Sequence, residues 1–137
     1  MRYKKVNKKD LPFLTECLIH ATLPFIESDR EKLKVIASMN DYVSRNYDEY
    51  TIIYNFLKPI GIYHLKNKEL SLLYMLKEYQ NKGLEAKVLN KIKDNISTVK
   101  ISSKDSKSRK FYQEHGFIKD KITKEEVILR KDEDNEN

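Results

Sequence analysis

The sequence predicts a mixed fold of the α/β (α+β) type, with a mostly antiparallel sheet of about six to seven strands flanked by about four helices. Apolar residues recur at helical spacing through most of residues 1–50, and the spacing then changes. Residues 50–76 are rich in Ile, Tyr, Leu and Phe, which favour strands, and two turns divide them into three segments. Helical and strand patterns alternate afterwards, so the predicted order is β-α-α-β-β-β-α-β-α-β-β.

The first three elements are a short strand and two amphipathic helices. Residues 2–6 predict the strand, and Asp10 can cap the helix that follows. Ser28 and Glu31 have the spacing of a capping box at the start of the second helix, with each side chain satisfying a backbone amide near the other. The apolar residues at helical spacing are Leu11, Leu14, Leu18 and Ile19 in the first helix, and Leu33, Ile36, Ala37 and Val43 in the second.

The later elements follow from the same patterns. Three antiparallel strands are expected within residues 50–76, with turns at residues 58–59 and 66–68. Asp105 can cap the last helix, Gly116 can end it in the left-handed conformation, and residues 117–130 predict a hairpin. The helix and the short strand between these regions are indicated by Leu84, Val88, Leu89, Ile92 and Ile96, and by Val99 and Ile101.

Composition indicates one small domain with a basic surface. The 137 residues carry a net charge of +6, and four of the 21 acidic residues crowd into residues 132–137, which leaves +10 over residues 1–131. We expect a single domain over residues 1–131 and a disordered acidic tail over residues 132–137. The basic surface is either a solvated lysine-rich face or one that attracts nucleic acid, although no aromatic-interleaved basic patch is present.

Targeting and metal signals are missing from the sequence. No apolar run approaches the length of a membrane span, and no secretory signal follows Met1, so no membrane partner is expected. Cys17 has no second thiol with which to form an internal disulfide, which favours a reducing cytoplasm. The three histidines are far apart in sequence, so no metal-ligand spacing is present.

Two motifs stand in order in the second half of the chain. Residues 80–86 read Gln-Asn-Lys-Gly-Leu-Glu-Ala, and residues 105–117 read Asp-Ser-Lys-Ser-Arg-Lys-Phe-Tyr-Gln-Glu-His-Gly-Phe. Together they resemble the coenzyme-binding half of the GCN5-related N-acetyltransferase (GNAT) family, which has (Gln/Arg)-x-x-Gly-x-(Gly/Ala) and then Asn-x-x-Ala-x-x-Phe-Tyr-x-x-x-Gly-Phe. The likeness is good over residues 58–117 and weak over residues 1–50. The matching residues are Gln80, Gly83, Phe111, Tyr112, Gly116 and Phe117, and the departures are Glu85, Asp105 and Ser108.

The resemblance implies that the first motif binds the pyrophosphate of acetyl-CoA. A glycine turn between a strand and a helix presents backbone N–H groups at the positive end of the helix dipole, which is what a pyrophosphate requires. A carboxylate at Glu85 would repel that group, and we expect its side chain to point outward. The residues assigned to this loop are Gln80, Asn81, Lys82, Gly83, Leu84, Glu85 and Ala86.

The resemblance assigns further residues to the coenzyme. Strand residues 70–76 would splay from their neighbour and bind the pantetheine arm through main-chain groups, and one backbone N–H would stabilise the oxyanion. By alignment the strand residues are Leu73, Met75 and Leu76. Asp105 and Ser108 match positions that face the coenzyme, and both also suit ordinary roles as an N-cap and a helix-packing residue. Tyr112 matches the tyrosine that hydrogen-bonds the coenzyme sulfur, as a hydrogen-bond donor or as an acid, and a purely core role is the alternative.

A general base is also needed, because an alkylammonium must lose a proton before its nitrogen can attack a thioester. Glu69 and His64 are the candidates nearest the expected cleft, and water alone is the alternative. The leading hypothesis is an N-acetyltransferase that moves acetyl from acetyl-CoA to an unidentified primary amine in a ternary complex. The alternatives are a binding module on the same fold that has lost catalysis, and a basic protein that contacts nucleic acid or tRNA. A homodimer is implied by the resemblance alone.

Overall fold

The computed structural model describes residues 1–133, which form the predicted elements in the predicted order, so the expected fold class is confirmed. The strands are β1 (Arg2–Lys5), β2 (Tyr50–Asn55), β3 (Lys58–Lys66), β4 (Glu69–Met75), β5 (Thr98–Ser102), β6 (Phe117–Ile122) and β7 (Glu126–Lys131), and the helices are α1 (Leu11–Thr22), α2 (Asp29–Asn46), α3 (Leu84–Ile92) and α4 (Ser106–Glu114). Of the expected acidic tail, residues 134–137 lie outside the described residues. None of the helices within residues 1–133 is long and apolar enough to cross a bilayer.

The strands form one sheet that separates near its middle. Their order is β1-β2-β3-β4-β5-β7-β6, and within residues 1–133 every neighbouring pair is antiparallel except β4 and β5. These two strands pair through Glu69 with Thr98 and through Leu70 with Val99. Because β4 continues to Met75 beyond that short contact, the carboxyl ends of β4 and β5 diverge and leave an opening in the sheet.

A β-bulge lies at the apex of this opening. In the β3–β4 register His64 pairs with Leu72 and Leu65 pairs with Leu70, so Ser71 is the extra residue on β4. A bulge bends its strand and turns one side chain away from the regular alternation. Ser71 is also the first residue after the last one that pairs with β5, so the bulge places its side chain at the inner end of the opening.

Helices pack on both faces of the sheet and create two apolar layers. On one face α1 and α2 cover the residues that β2 and β3 send to that side; this layer contains Leu14, Cys17, Leu18, Met39, Val43, Tyr50, Ile52 and Ile62. On the other face α3 and α4 cover the opposite side of the sheet; this layer contains Ile53, Ile60, Leu70, Val88, Leu89, Ile92, Val99, Tyr112 and Phe117. The opening between β4 and β5 therefore connects the two helical layers.

The first two helices differ in detail from their sequence prediction. Asp10 occupies the N-cap position of α1, but its side chain makes no capping hydrogen bond to that helix; its carboxylate instead accepts from the Asn7 amide at 3.0 Å, within a short 3₁₀ turn that precedes the helix. Ser28 caps α2 as predicted, with its Oγ 3.0 Å from the Glu31 amide. Leu33 and Ile36 remain 67% and 42% exposed, because the buried face of α2 is supplied by its second half, at Met39 and Val43.

Gly61 is required where β3 and β4 come closest together. A Cβ at this position would lie 2.5 Å from the Tyr74 carbonyl oxygen and 2.8 Å from Met75 Sδ. We expect Gly61→Ala to lower the free energy of unfolding by about 2 kcal/mol, because the strand that forms one wall of the opening would have to move. Urea unfolding measures this effect. Gly83→Ala is the comparison, since its Cβ meets no atom within 4 Å and only its backbone is strained. Native-like stability of Gly61→Ala would contradict the close approach of the strands.

Candidate functional site

A cleft of about 880 Å³ lies where β4 and β5 diverge. Residues 71–75 of β4 form one wall, and Ile101 and Ser102 of β5 form the other. The first turns of α3 and α4 border one side, and the loop between α1 and α2 borders the opposite side. At the mouth Lys104 Nζ lies 3.3 Å from Glu27 Oε1, an exposed ion pair that joins the α1–α2 loop to the β5–α4 loop.

The open edge of β4 presents main-chain groups to the cleft. The Leu76 N–H donates to the Ile60 carbonyl of β3 at 2.8 Å. Main-chain groups alternate between the two sides of a strand in an antiparallel pair, so those of Met75 and Leu73 point away from β3 and toward the cleft. The side-chain amide of Gln80 donates to the Met75 carbonyl at 2.8 Å and so ties the next loop to the strand. The main-chain groups of Leu73 remain directed into the cleft.

The turn into α3 has the backbone shape that anion binding requires. Asn81 and Gly83 have positive φ values of 61° and 77°, and Gly83 is the N-cap of the helix. The first helical hydrogen bond runs from the Lys87 N–H to the Gly83 carbonyl at 3.3 Å. The N–H groups of residues 84–86 precede this bond and therefore have no carbonyl partner within the helix. Gly83 and Ala86 are part of the cleft wall, where these N–H groups supply positive potential.

Glu85 is among the residues that line the cleft, and its charge acts on Tyr112, which argues against the expected outward orientation of its side chain. Glu85 lies in the first turn of α3, next to Leu84, which packs against the apolar layer. Burial raises the pKa of Tyr112, and the charges of Asp105 and Glu85 raise it further. The negative charges of both carboxylates are therefore felt at the Tyr112 hydroxyl. Glu85 also lies in the turn where the resemblance places a pyrophosphate.

The start of α4 forms the border next to this loop. Asp105 Oδ1 accepts from the Ser108 amide at 3.0 Å, so Asp105 is the N-cap that the sequence predicts. Asp105, Lys107 and Ser108 all line the cleft. Lys107 Nζ lies 3.2 Å from Asn81 Oδ1, which links α4 to the turn before α3. The lysine adds a positive charge beside the carboxylates of Asp105 and Glu85.

Tyr112 reaches the cleft from within the apolar layer. The residue is 4% exposed, and its ring packs against Phe111 and Phe117 at centroid distances of 5.1 and 5.9 Å. It lies on the cleft wall, and its hydroxyl takes part in none of the side-chain hydrogen bonds found within residues 1–133. Its raised pKa keeps the phenol neutral, so the hydroxyl can donate a hydrogen bond to a group in the cleft.

Three residues of the predicted coenzyme set lie outside the cleft lining. Lys82 is exposed, with Nζ 5.8 Å from the Tyr79 ring centroid. Leu84 packs against the layer below α3 and α4, and Leu76 packs against the layer below α1 and α2. The cleft is therefore formed by the other members of the set: Leu73, Met75, Gln80, Asn81, Gly83, Glu85, Ala86, Asp105, Ser108 and Tyr112.

Neither candidate base lines the cleft directly. Glu69 lies at the closed end of the opening, with its carboxylate 3.6 Å from Lys100 Nζ. His64 lies behind the wall with its side chain 13% exposed, and its Nε2 is 2.9 Å from Glu49 Oε1. Its Nδ1 is hydrogen-bonded to the hydroxyl of Ser71, which does line the cleft. Of the two residues, His64 has a hydrogen-bonded connection to the cleft.

Comparison with protein families identifies this arrangement. The family described as "Acetyltransferase (GNAT) domain" matches residues 19–130, which include β4, the turn before α3 and all of α4. This chain belongs to the GNAT acetyltransferase family. The resemblance stated from the two motifs is therefore confirmed. A search of curated protein sequences gives no match.

Several solved structures share the fold over nearly the whole chain. PaiA N-acetyltransferase from Thermoplasma acidophilum, solved in complex with coenzyme A, is 18% identical, with a TM-score of 0.68 and coverage of 95% of this chain and 98% of that chain. Apo-form YjaB from Escherichia coli is 15% identical, with a TM-score of 0.69 and 93% of each chain covered. A GCN5-related N-acetyltransferase from Rhodopseudomonas palustris is 14% identical, with a TM-score of 0.66 and coverage of 95% and 94%.

In this GNAT domain sequence reasoning left several polar residues of the cleft region unassigned, among them Lys107, Ser71 and Glu49. Lys107 adds a charge to the coenzyme side, and it carries no signal in the sequence because lysines are scattered throughout the chain. Ser71 and Glu49 complete a hydrogen-bonded chain with His64. A bulge brings Ser71 to the histidine, and a short turn before β2 brings Glu49 there. Neither contact follows from residue spacing.

Glu49 should contribute to the acid sensitivity of this GNAT domain. Hydrogen bonds from Lys66 and His64 hold the pKa of its carboxyl below the ordinary 4.5. A lowered pKa stabilises the fold above the unfolded-state value, and this stabilisation disappears as the pH falls through the folded-state value. We expect the free energy of urea unfolding to fall more steeply for the native protein than for Glu49→Gln, from about pH 5 to about pH 3. Equal slopes for the two proteins would contradict this linkage.

Proposed function

We propose that this protein is an acetyl-CoA-dependent N-acetyltransferase that moves an acetyl group to a primary amine by direct attack in a ternary complex. The observation that carries the proposal is the divergence of β4 and β5, which opens a cleft that ends on the N-terminus of α3. Membership of the GNAT family and the coenzyme A complex of PaiA support the same reading. The pantetheine arm of acetyl-CoA fits between β4 and β5, and the pyrophosphate of the coenzyme fits the N-terminus of α3.

The proposed position of the coenzyme uses groups on three elements. The N–H groups that follow Gly83 hold the pyrophosphate, and Lys107 adds a positive charge beside it. The main-chain groups of Leu73 and Met75 hydrogen-bond the pantetheine arm along the open edge of β4. Asp105 and Ser108 lie against the coenzyme at the start of α4. The acetyl group then points toward the inner end of the cleft.

The proposed reaction follows from that position. The amine nitrogen attacks the thioester carbon, a C–N bond forms, and the C–S bond breaks as the sulfur leaves with its electron pair. The backbone N–H of Leu73 stabilises the oxyanion, and the Tyr112 hydroxyl donates to the leaving sulfur. Cys17 does not serve as an acyl carrier, because it is fully buried and burial, together with the charge of Glu16, raises the pKa of its thiol to about 12.

The setting and assembly that we propose agree with this chemistry. A single buried thiol suits a reducing cytoplasm. The two edges of the sheet are β1 and β6, and we propose that a homodimer pairs through one of them. Light scattering of the purified protein distinguishes a dimer from a monomer.

One observation favours a second candidate, a GNAT-fold module that has lost catalysis. Glu85 lies on the cleft wall at the turn that would hold the pyrophosphate, and its negative charge weakens that site. Lys107 lies on the same wall and offsets part of this charge. We therefore rank the acetyltransferase first, and the two candidates differ in whether acetyl is transferred at all.

An amine screen tests the proposed function. Purified protein is mixed with acetyl-CoA and, separately, with n-butylamine, hydroxylamine, spermidine, lysine and short peptides with free N-termini. The products are identified by mass spectrometry, and the thioester is followed by chromatography. We expect at least one amine to gain a single acetyl group at a rate far above the protein-free control. Binding of acetyl-CoA without transfer to any amine would favour the non-catalytic module.

A further inference from the structure

A serine, a histidine and a glutamate form a continuous hydrogen-bonded chain that leads from the cleft into the protein. Ser71 Oγ lies 2.5 Å from His64 Nδ1, and His64 Nε2 lies 2.9 Å from Glu49 Oε1. Lys66 Nζ holds the other carboxylate oxygen of Glu49 at 2.7 Å. The three side chains come from β4, β3 and the turn before β2, so the folded sheet creates the chain.

The donors and acceptors in this chain have one consistent direction. Hydrogen bonds from Lys66 and His64 keep the pKa of Glu49 low, so its carboxylate accepts from His64 Nε2–H. When the imidazole is neutral, its lone pair is on Nδ1, and the Ser71 hydroxyl donates to it. Ser71 Oγ can still accept a hydrogen bond from a donor in the cleft. A proton that enters at Ser71 can therefore pass inward to His64.

The surroundings hold the imidazole in this orientation. The Tyr50 ring lies 4.7 Å from the His64 ring in an edge-to-face contact, and the Tyr50 hydroxyl is 2.7 Å from that of Tyr42 on α2. The histidine side chain is 13% exposed and the Glu49 side chain is 22% exposed. The β-bulge turns Ser71 toward the histidine and also leaves it on the cleft wall. These contacts keep one ring nitrogen of His64 directed at Ser71 and the other at Glu49.

We propose that Ser71, His64 and Glu49 form a proton relay that deprotonates the acceptor ammonium at the inner end of the cleft; this inference rests on the proposed acetyl transfer. The ammonium gives one proton to Ser71 Oγ as the hydroxyl proton of Ser71 passes to His64 Nδ1. The carboxylate of Glu49 stabilises the imidazolium, which later releases its proton to solvent. The free amine lone pair attacks the thioester carbon, and the second nitrogen proton goes to the departing thiolate.

Ser71 touches the substrate in this scheme and is a catalytic residue, whereas Glu49 is a positioning residue. A serine that is hydrogen-bonded to a histidine can also act as a nucleophile. This reaction would form an acetyl-serine and release CoA before any amine binds. The relay is the simpler assignment, because the amine and the thioester share one cleft and direct attack needs no second transfer. The acetyl-serine is therefore an outcome that the test must exclude.

The test compares Ser71→Ala, His64→Gln and Glu49→Gln with the native protein, using two acceptors and acetyl-CoA. n-Butylamine is an ammonium at neutral pH and needs the relay, whereas hydroxylamine is largely unprotonated and does not. We expect Ser71→Ala and His64→Gln to lower kcat for n-butylamine about 100-fold, with a much smaller loss for hydroxylamine and an unchanged KM for acetyl-CoA. Glu49→Gln should lower kcat for n-butylamine about 10-fold, again with a much smaller loss for hydroxylamine. Glu126→Gln, another lysine-paired carboxylate, is the matched control.

Each possible result either supports or overturns the proposed relay. Equal losses with both acceptors would mean a purely structural role and would overturn the relay. Unchanged kcat in Ser71→Ala would overturn it as well, while the proposed acetyl transfer would stand. An acetyl group found on Ser71 after incubation with acetyl-CoA alone would replace the relay with an acyl-enzyme. Nitrogen NMR of the imidazole adds a readout independent of activity, since a proton on Nδ1 rather than Nε2 of His64 contradicts the relay. A native protein that binds no acetyl-CoA would instead remove the proposed function itself.

Discussion

Replacing Glu85 with Gln should tighten the binding of acetyl-CoA about 10-fold. Glu85 is a cleft-lining residue in the first turn of α3, where the proposed pyrophosphate sits. Repulsion between a carboxylate and a pyrophosphate at the edge of a cleft costs about 1 to 2 kcal/mol at the effective dielectric constants found near protein surfaces. Glutamine keeps the size of the side chain and removes only its charge. Isothermal titration calorimetry measures the change.

Glu78→Gln is the control for this experiment. Glu78 is exposed, lies in the short turn after β4, and is not among the residues that line the cleft. Both variants raise the net charge of the protein by one, so a general effect of charge would tighten binding equally in both. An unchanged affinity in Glu85→Gln would show that the carboxylate does not face the coenzyme.

Tyr112→Phe should lower kcat about 10-fold and leave the affinity for acetyl-CoA nearly unchanged. Burial and the charges of Asp105 and Glu85 raise the pKa of Tyr112, which makes its phenol a still weaker acid relative to a thiol. In the proposed reaction the hydroxyl is therefore a hydrogen-bond donor to the leaving sulfur rather than a proton donor. Loss of one such bond is the expected effect. Steady-state kinetics with the best amine of the screen measures it.

Tyr112→Ala separates the role of the hydroxyl from the role of the ring. The ring is buried against Phe111 and Phe117, and its removal should lower the free energy of unfolding by about 3 to 4 kcal/mol. Phenylalanine keeps that packing, so Tyr112→Phe should unfold at nearly the native urea concentration. A kcat for Tyr112→Phe equal to that of the native protein would restrict Tyr112 to a core role.

Much of the fold followed from local patterns in the sequence. The three strands between Tyr50 and Met75 and the cap at Asp105 were predicted because periodicity and capping act over short stretches of chain. The positive φ of Gly116 was predicted because glycine, which has no Cβ, adopts this conformation at the end of a helix. The family could be inferred because two motifs stood in order, although each motif departs from the family pattern.

The parts that could not be predicted depend on long-range placement. The sequence offers no signal that β7 lies between β5 and β6, or that β4 carries a bulge at Ser71. The contact of His64 with Glu49 joins residues far apart in sequence and arises from strand register. The direction of Glu85 depends on which neighbour faces the apolar layer. Each of these features is decided by packing rather than by local preference.

The central claim is that acetyl-CoA binds in the cleft between β4 and β5, and NMR of the nitrogen-labelled protein tests it most directly. Acetyl-CoA is added to the native protein and to Glu85→Gln, and the shifts of the backbone amides are followed. We predict saturable shifts concentrated in residues 71–76, 81–87 and 105–112, with tighter binding in the variant. Shifts confined to other surfaces, or none in either protein at millimolar acetyl-CoA, would contradict the claim.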